Sequence, residues 1–166
     1  MSESSAHANE SIARLFDRLT GLYEMQEGGG FKARAYRKGA QAIRDLPEAL
    51  TAMVASGADL RKIPGVGVAI DRKVREFLDT GRVRTYDRES ANVSPLALAL
   101  LHVPGIGGAS VRRLLDETGA PSAGALLAAL DAGAGAWLPA SGPRSVEAVR
   151  ELLAGLTESA PLAVLR

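Results

Sequence analysis

One short segment occurs three times in this 166-residue chain, and it constrains the fold more than any other feature. Around Pro64 the order is Ile63-Pro64-Gly65-Val66-Gly67-Val68-Ala69-Ile70-Asp71-Arg72-Lys73-Val74. Around Pro104 it is Val103-Pro104-Gly105-Ile106-Gly107-Gly108-Ala109-Ser110-Val111-Arg112-Arg113-Leu114. A worn copy follows as Leu138-Pro139-Ala140-Ser141-Gly142-Pro143-Arg144-Ser145-Val146. The prolines stand 40 and 35 residues apart, and each copy leads into a run of helical periodicity. A proline stops the incoming helix, and glycine permits the positive φ that bulky residues avoid. The apolar residue between the glycines is expected to plug into the helix pair, and the second glycine to open the next helix. Such a unit is a helix-hairpin-helix.

The remaining periodic segments are helical too. Ile12, Leu15, Phe16, Leu19, Leu22 and Tyr23 recur at the spacing of one helix face, with Asn9 as expected N-cap and Gly28-Gly29-Gly30 as the stop. A second helix is expected from Phe31 to Asp45, its inward side formed by Phe31, Ala35, Gly39, Ala42, Ile43 and Leu46. No stretch alternates with the period of a strand. The expected class is all-α, with two small helical subdomains that each carry a hairpin, plus a degenerate third hairpin. The expected bounds are a disordered tail at 1–8, a first domain at 9–86, a second at 92–158 and a C-terminal tail at 159–166.

Composition narrows the chemistry. The absence of cysteine excludes disulfides, thiolate zinc sites and cysteine nucleophiles, and two histidines cannot build a His-rich metal cage. No window approaches the roughly 18 consecutive apolar residues of a membrane span, and no secretory h-region opens the chain. No membrane partner is therefore expected, and the location is read as cytoplasmic and nucleoid-associated. Net charge is only +1, but its distribution is uneven. Residues 1–90 hold 15 basic and 13 acidic side chains, whereas residues 91–166 hold 5 and 6. Between Gly28 and Arg44 stand Lys32, Arg34, Arg37, Lys38 and Arg44 with no acid among them. A block of that kind is an electrostatic footprint for a polyanion.

The first amides of a helix that follows a hairpin lack intrahelical acceptors and sit at the positive end of the helix dipole. They would hold phosphate without reading bases. The candidate DNA-binding set is Lys32, Arg34, Tyr36, Arg37, Lys38, Gly65, Val66, Gly67, Arg72, Gly105, Ile106, Gly107, Gly108, Arg112 and Arg113. No cofactor is implied beyond Na+ or K+ at the hairpin carbonyls of Ile63, Gly65, Val103 and Gly105. The third copy lacks the first glycine and is read as structural only.

The order Phe31-Lys32-Ala33-Arg34-Ala35-Tyr36-Arg37-Lys38, Leu46-Pro47, Ile63 to Gly67, Glu76-Phe77-Leu78-Asp79-Thr80-Gly81 and Val103 to Gly107 resembles the N-terminal part of family X DNA polymerases, the polymerase beta family. The likeness runs over about residues 9 to 156. It implies a lyase-type domain with one hairpin, then a DNA-binding subdomain with a second, both working on gapped DNA. It also implies that Lys73 matches the family's Schiff-base lysine, while Lys32, Tyr36 and Arg37 match its phosphate-side and sugar-side positions. Two positions depart from polymerase beta. Ala69 replaces a phosphate-binding lysine, and Arg72 replaces an acid beside the nucleophile. The carboxylate pair of a polymerase palm is missing, since no Asp-x-Asp occurs. The chain as given is therefore read as neither polymerase nor glycosylase.

Physical reasoning about Lys73 points the same way as the likeness. It falls at the edge of an apolar stripe of Ile70, Val74 and Phe77, with Lys32, Arg37 and Arg72 as candidate neighbouring cations. Burial and like charge would lower its pKa, as an amine nucleophile requires. The matching positions in the other copies are Arg113 and Ala148, and arginine stays charged. Three functions are thus in view. The leading one is a sequence-nonspecific protein gripping the backbone of nicked, gapped or 5′-phosphate-ended DNA in repair. The second is a 5′-deoxyribose-phosphate or abasic-site lyase acting through Lys73. The third is an accessory domain docking a repair polymerase, nuclease or ligase.

Overall fold

The computed structural model describes residues 3–103, 105–139, 142 and 145–158. Among them every regular element is helical, so the all-α class is borne out. No helix among the described residues is long and apolar enough to cross a membrane. The chain divides into two compact units, Met1–Ser90 and Ala91–Arg166.

The first unit is built on two long helices, α1 (Glu3–Met25) and α2 (Gly30–Arg44), packed against each other. Then come α3 (Leu50–Ala55), a 3-10 turn (Leu60–Lys62), α4 (Val68–Thr80) and α5 (Arg84–Ser90). Ile12, Phe16, Leu19 and Leu22 of α1 are fully buried, as the periodicity predicts. At roughly 1.5–3 kcal/mol per fully buried side chain, this stripe is the main source of the unit's cohesion.

Two sequence expectations for this unit need correction. The first helix begins at Glu3, so Asn9 lies within it rather than at its cap. Its buried side chain instead accepts from the Leu50 amide at 2.9 Å and donates to the Glu48 carbonyl at 3.0 Å. It thereby satisfies the first amide of α3 from 41 residues away. The inward face of α2 is partly different, with Gly39 and Ile43 buried as expected but Phe31 and Ala35 turned out. Ala33, Tyr36, Gly39, Ala40 and Ile43 are buried, while Phe31 is 77% exposed and Ala35 is exposed. Alanines lie on several sides of this helix. The large ring of Tyr36, stacking on Tyr23, decides which side turns in.

The second unit comprises α6 (Pro95–Leu100), α7 (Gly108–Thr118), α8 (Ala123–Asp131) and α9 (Val146–Glu158). Ser94 and Ser122 cap α6 and α8 by accepting the amides of Ala97 and Ala125. Leu100, Val111, Leu114, Leu126, Leu130, Val149 and Leu153 form its core. In the worn third copy, Ala140, Ser141, Pro143 and Arg144 lie outside the described residues, as does the expected tail at 159–166.

Candidate nucleic-acid interface

The two good hairpins close in the same way. In the first, Gly65 has φ +94° and the Val66 amide donates to the Ile63 carbonyl at 2.9 Å. In the second, Gly105 has φ +77° and the Ile106 amide donates to Val103 at 3.1 Å. Val66 and Ile106 are both buried, 4% and 8% exposed, so each plugs its hairpin as expected. Gly67 and Gly107 then cap the following helices in extended backbone, and each carbonyl accepts from the amides three and four residues on. The amides of Gly67, Val68 and Ala69 have no acceptor among the described residues. They are an unspent donor set at the head of α4. The Ile63 and Val103 carbonyls each spend one lone pair on the hairpin bond.

Glycine close approach fixes the first hairpin against the basic helix. A Cβ on Gly65 would stand 3.2 Å from the Lys38 carbonyl, and one on Gly39 would stand 3.2 Å from Ile70 of α4. The basic helix therefore lies directly under both hairpin and α4.

The cations of α2 are not all available. Arg37 pairs with Glu24, and Arg44 pairs with Glu10 and Asp17, so two of the five are matched by acids on α1. Lys32, Arg34 and Lys38 are exposed and form no ion pair among the described residues, and Arg72 on α4 likewise. Lys62, which the sequence reading missed, is an exposed lysine immediately ahead of the hairpin. Its signal was its position beside Ile63.

Tyr36 is a buried ring rather than an exposed contact. It stacks on Tyr23 with centroids 5.5 Å apart and planes 3° from parallel. Lys73 Nζ stands 5.6 Å from the Tyr36 centroid, and Lys32 Nζ 5.0 Å from that of Tyr23. The structure thus brings Lys32, Tyr36 and Lys73 to one stacked pair, while Arg37 turns to Glu24. Sequence reasoning missed the other members of this group. The Tyr23 hydroxyl donates to Glu89 at 3.2 Å, and Gln26 donates to the same carboxylate at 2.8 Å.

Lys73 is half-buried, with Nζ 3.5 Å from the Ala69 carbonyl. Burial lowers its pKa below the ordinary lysine value, Arg72 and Arg88 lower it further, and Glu76 opposes them. Of the cations expected beside it, Arg72 acts on Lys73 and Arg88 joins it, Lys32 shares the stacked tyrosine pair, and Arg37 turns to Glu24. Burial also raises the pKa of Tyr36, so the phenol beneath the amine stays neutral.

In the second unit, Arg112 of α7 lies 3.6 Å from Asp116, and Arg113 stands over the ring of Trp137. Gly108 is buried at the first position of α7. No group of three or more potential metal ligands occurs among the described residues.

Residues 7–83 match the family model of a helix-hairpin-helix domain. The chain is also 26% identical over 144 residues to the DNA polymerase/3′-5′ exonuclease PolX of Bacillus subtilis (strain 168). The resemblance to family X polymerases is borne out. That alignment covers 87% of this chain and 25% of the relative, so the chain spans about a quarter of the relative's length.

Proposed function

We propose that this chain binds the sugar-phosphate backbone of nicked, gapped or 5′-phosphate-ended DNA in repair, with little base specificity. The observation that carries this reading is the pair of hairpins with matching backbone bonds, each opening a helix at an extended glycine. Exposed Lys32, Arg34, Lys38 and Arg72 around the first hairpin supply the charge. Backbone donors hold phosphate whatever the base. The similarity to a DNA polymerase and exonuclease supports DNA as the partner. That partner would set the location as the nucleoid of the cytoplasm, and Na+ or K+ on the hairpin carbonyls would bridge to phosphate.

The test is fluorescence anisotropy with a gapped, 5′-phosphorylated duplex and an intact duplex over a range of salt. The gapped duplex is expected to bind more tightly, with log affinity falling linearly in log salt by about 0.9 per phosphate engaged. Affinity indifferent both to salt and to Gly65→Val would overturn the reading.

A second reading is favoured by the half-buried Lys73 amine over Tyr36. Its unprotonated Nζ would add to the C1′ aldehyde of a ring-opened deoxyribose, and loss of water would form the Schiff base. Loss of the C2′ proton would then break the C3′–O bond and release the phosphate, and hydrolysis would restore the amine. Borohydride trapping on incised abasic DNA tests it. The adduct should vanish in Lys73→Arg while DNA binding persists. The third function, docking of a repair polymerase, nuclease or ligase, would be selected by a stable protein complex without DNA binding.

A further inference from the structure

Two arginine–acid pairs stand side by side on α7 at the spacing that closes ion pairs, and only one of them closes. Arg112 reaches Asp116 at 3.6 Å. Arg113 closes no salt bridge with Glu117 among the described residues, although its charge helps hold that carboxylate below the ordinary glutamate range. One oxygen accepts the indole N–H of Trp137 at 2.7 Å, and the other accepts the Gly135 amide at 3.1 Å. The loop bearing both donors is docked tightly: a Cβ on Gly135 would stand 3.1 Å from Leu130 and 3.2 Å from Leu114. Arg113 seats its guanidinium carbon 4.3 Å from the centroid of the Trp137 ring. It is exposed and makes no ion pair among the described residues. An arginine held on an aromatic face keeps its N–H fork directed at solvent, with part of its ordering entropy already spent.

The position has a counterpart. Arg113 lies six residues beyond Gly107, as Lys73 lies six beyond Gly67, and each cation stands over an aromatic ring from another element. We infer that Arg113, presented on the Trp137 ring and closing no salt bridge, is a dedicated phosphate clamp of the second unit. This inference rests on the DNA-binding reading above. A guanidinium fork matches two phosphate oxygens at once.

The experiment is the same salt titration of a gapped duplex, now with wild type, Arg113→Gln and Arg113→Lys, each first checked by thermal melting. Arg113→Gln should weaken binding about tenfold, the effect of one charged hydrogen-bonded contact. It should also flatten the log–log salt slope by about 0.9. Arg113→Lys should keep the slope, since the charge remains, but lose affinity with the fork. Trp137 is the chain's one tryptophan, so its emission should change in step with DNA saturation. Wild-type binding with an ordinary salt slope, unchanged in Arg113→Gln and silent in Trp137 emission, would overturn the clamp and leave the DNA-binding reading intact. A wild type that fails to bind DNA would overturn both.

Discussion

The first and second hairpins have the same backbone and different chemistry. Both turn on a left-handed glycine, both bury the residue between their glycines, and both start a helix from an extended glycine. One and a half turns further on they part. The first offers a lysine that sheds its proton more easily because it is buried over Tyr36. The second offers an arginine that never sheds one, held over Trp137 with its carboxylate neighbour occupied. A repeated scaffold can thus supply one placement over an aromatic ring to two kinds of cation, and the cation itself decides whether a proton can be shed.

The sharpest test of that comparison is an exchange. Lys73→Arg keeps charge at the first hairpin and should abolish the borohydride-trapped adduct entirely. Arg113→Gln should leave the adduct unchanged at saturating DNA and act only on binding. Next in size is Gly65→Val, which meets both a positive φ and the Lys38 carbonyl. It should lower the stability of the first unit by about 1–3 kcal/mol, read by chemical denaturation, and reduce DNA affinity with it. Asn9→Ala leaves the Leu50 amide without its acceptor and should cost about 1 kcal/mol by the same measurement.

The smallest effect is a pH dependence confined to the first unit. Glu89 is held below the ordinary glutamate range, chiefly by Arg88 and also by Gln26 and Tyr23. A carboxylate with a lowered folded value adds stability above its unfolded value and loses it as pH falls through the folded one. Acid below the ordinary glutamate pKa should therefore loosen α5 from α1, and Glu89→Gln should flatten that slope in acid titrations followed by Tyr fluorescence. The solvent-exposed setting of Arg88 keeps the effect to a fraction of a kcal/mol.

The hairpins were legible in the sequence because Pro-Gly-x-Gly states a backbone requirement within four residues. The core stripe of α1 was legible because its apolar residues are large and its polar ones unambiguous. The inward side of α2 was legible only at Gly39 and Ile43, since alanines surround the helix and Tyr36 turns in to stack on Tyr23 of another element. Asn9 misled for a related reason, because a capping residue names the need for a donor but not which helix provides it. Arg37 and Arg44 read as open charge because Glu24, Glu10 and Asp17 lie on α1, 13 to 34 residues away. The pairing of Glu117 with Trp137, 20 residues distant, is a matter of loop geometry that periodicity does not describe.

The absent side chains of Gly39 and Gly65 leave no spacer between the basic helix and the hairpin with its following helix. On the proposed reading, a strand gripped by the hairpin amides would meet the lysines of α2 at a fixed distance. The second engagement would then be intramolecular, governed by local effective concentration rather than by the amount of protein in solution. Two grips joined this way would act as a chelate. Enlarging either glycine would cost that multiplication of affinity even where every charge survived.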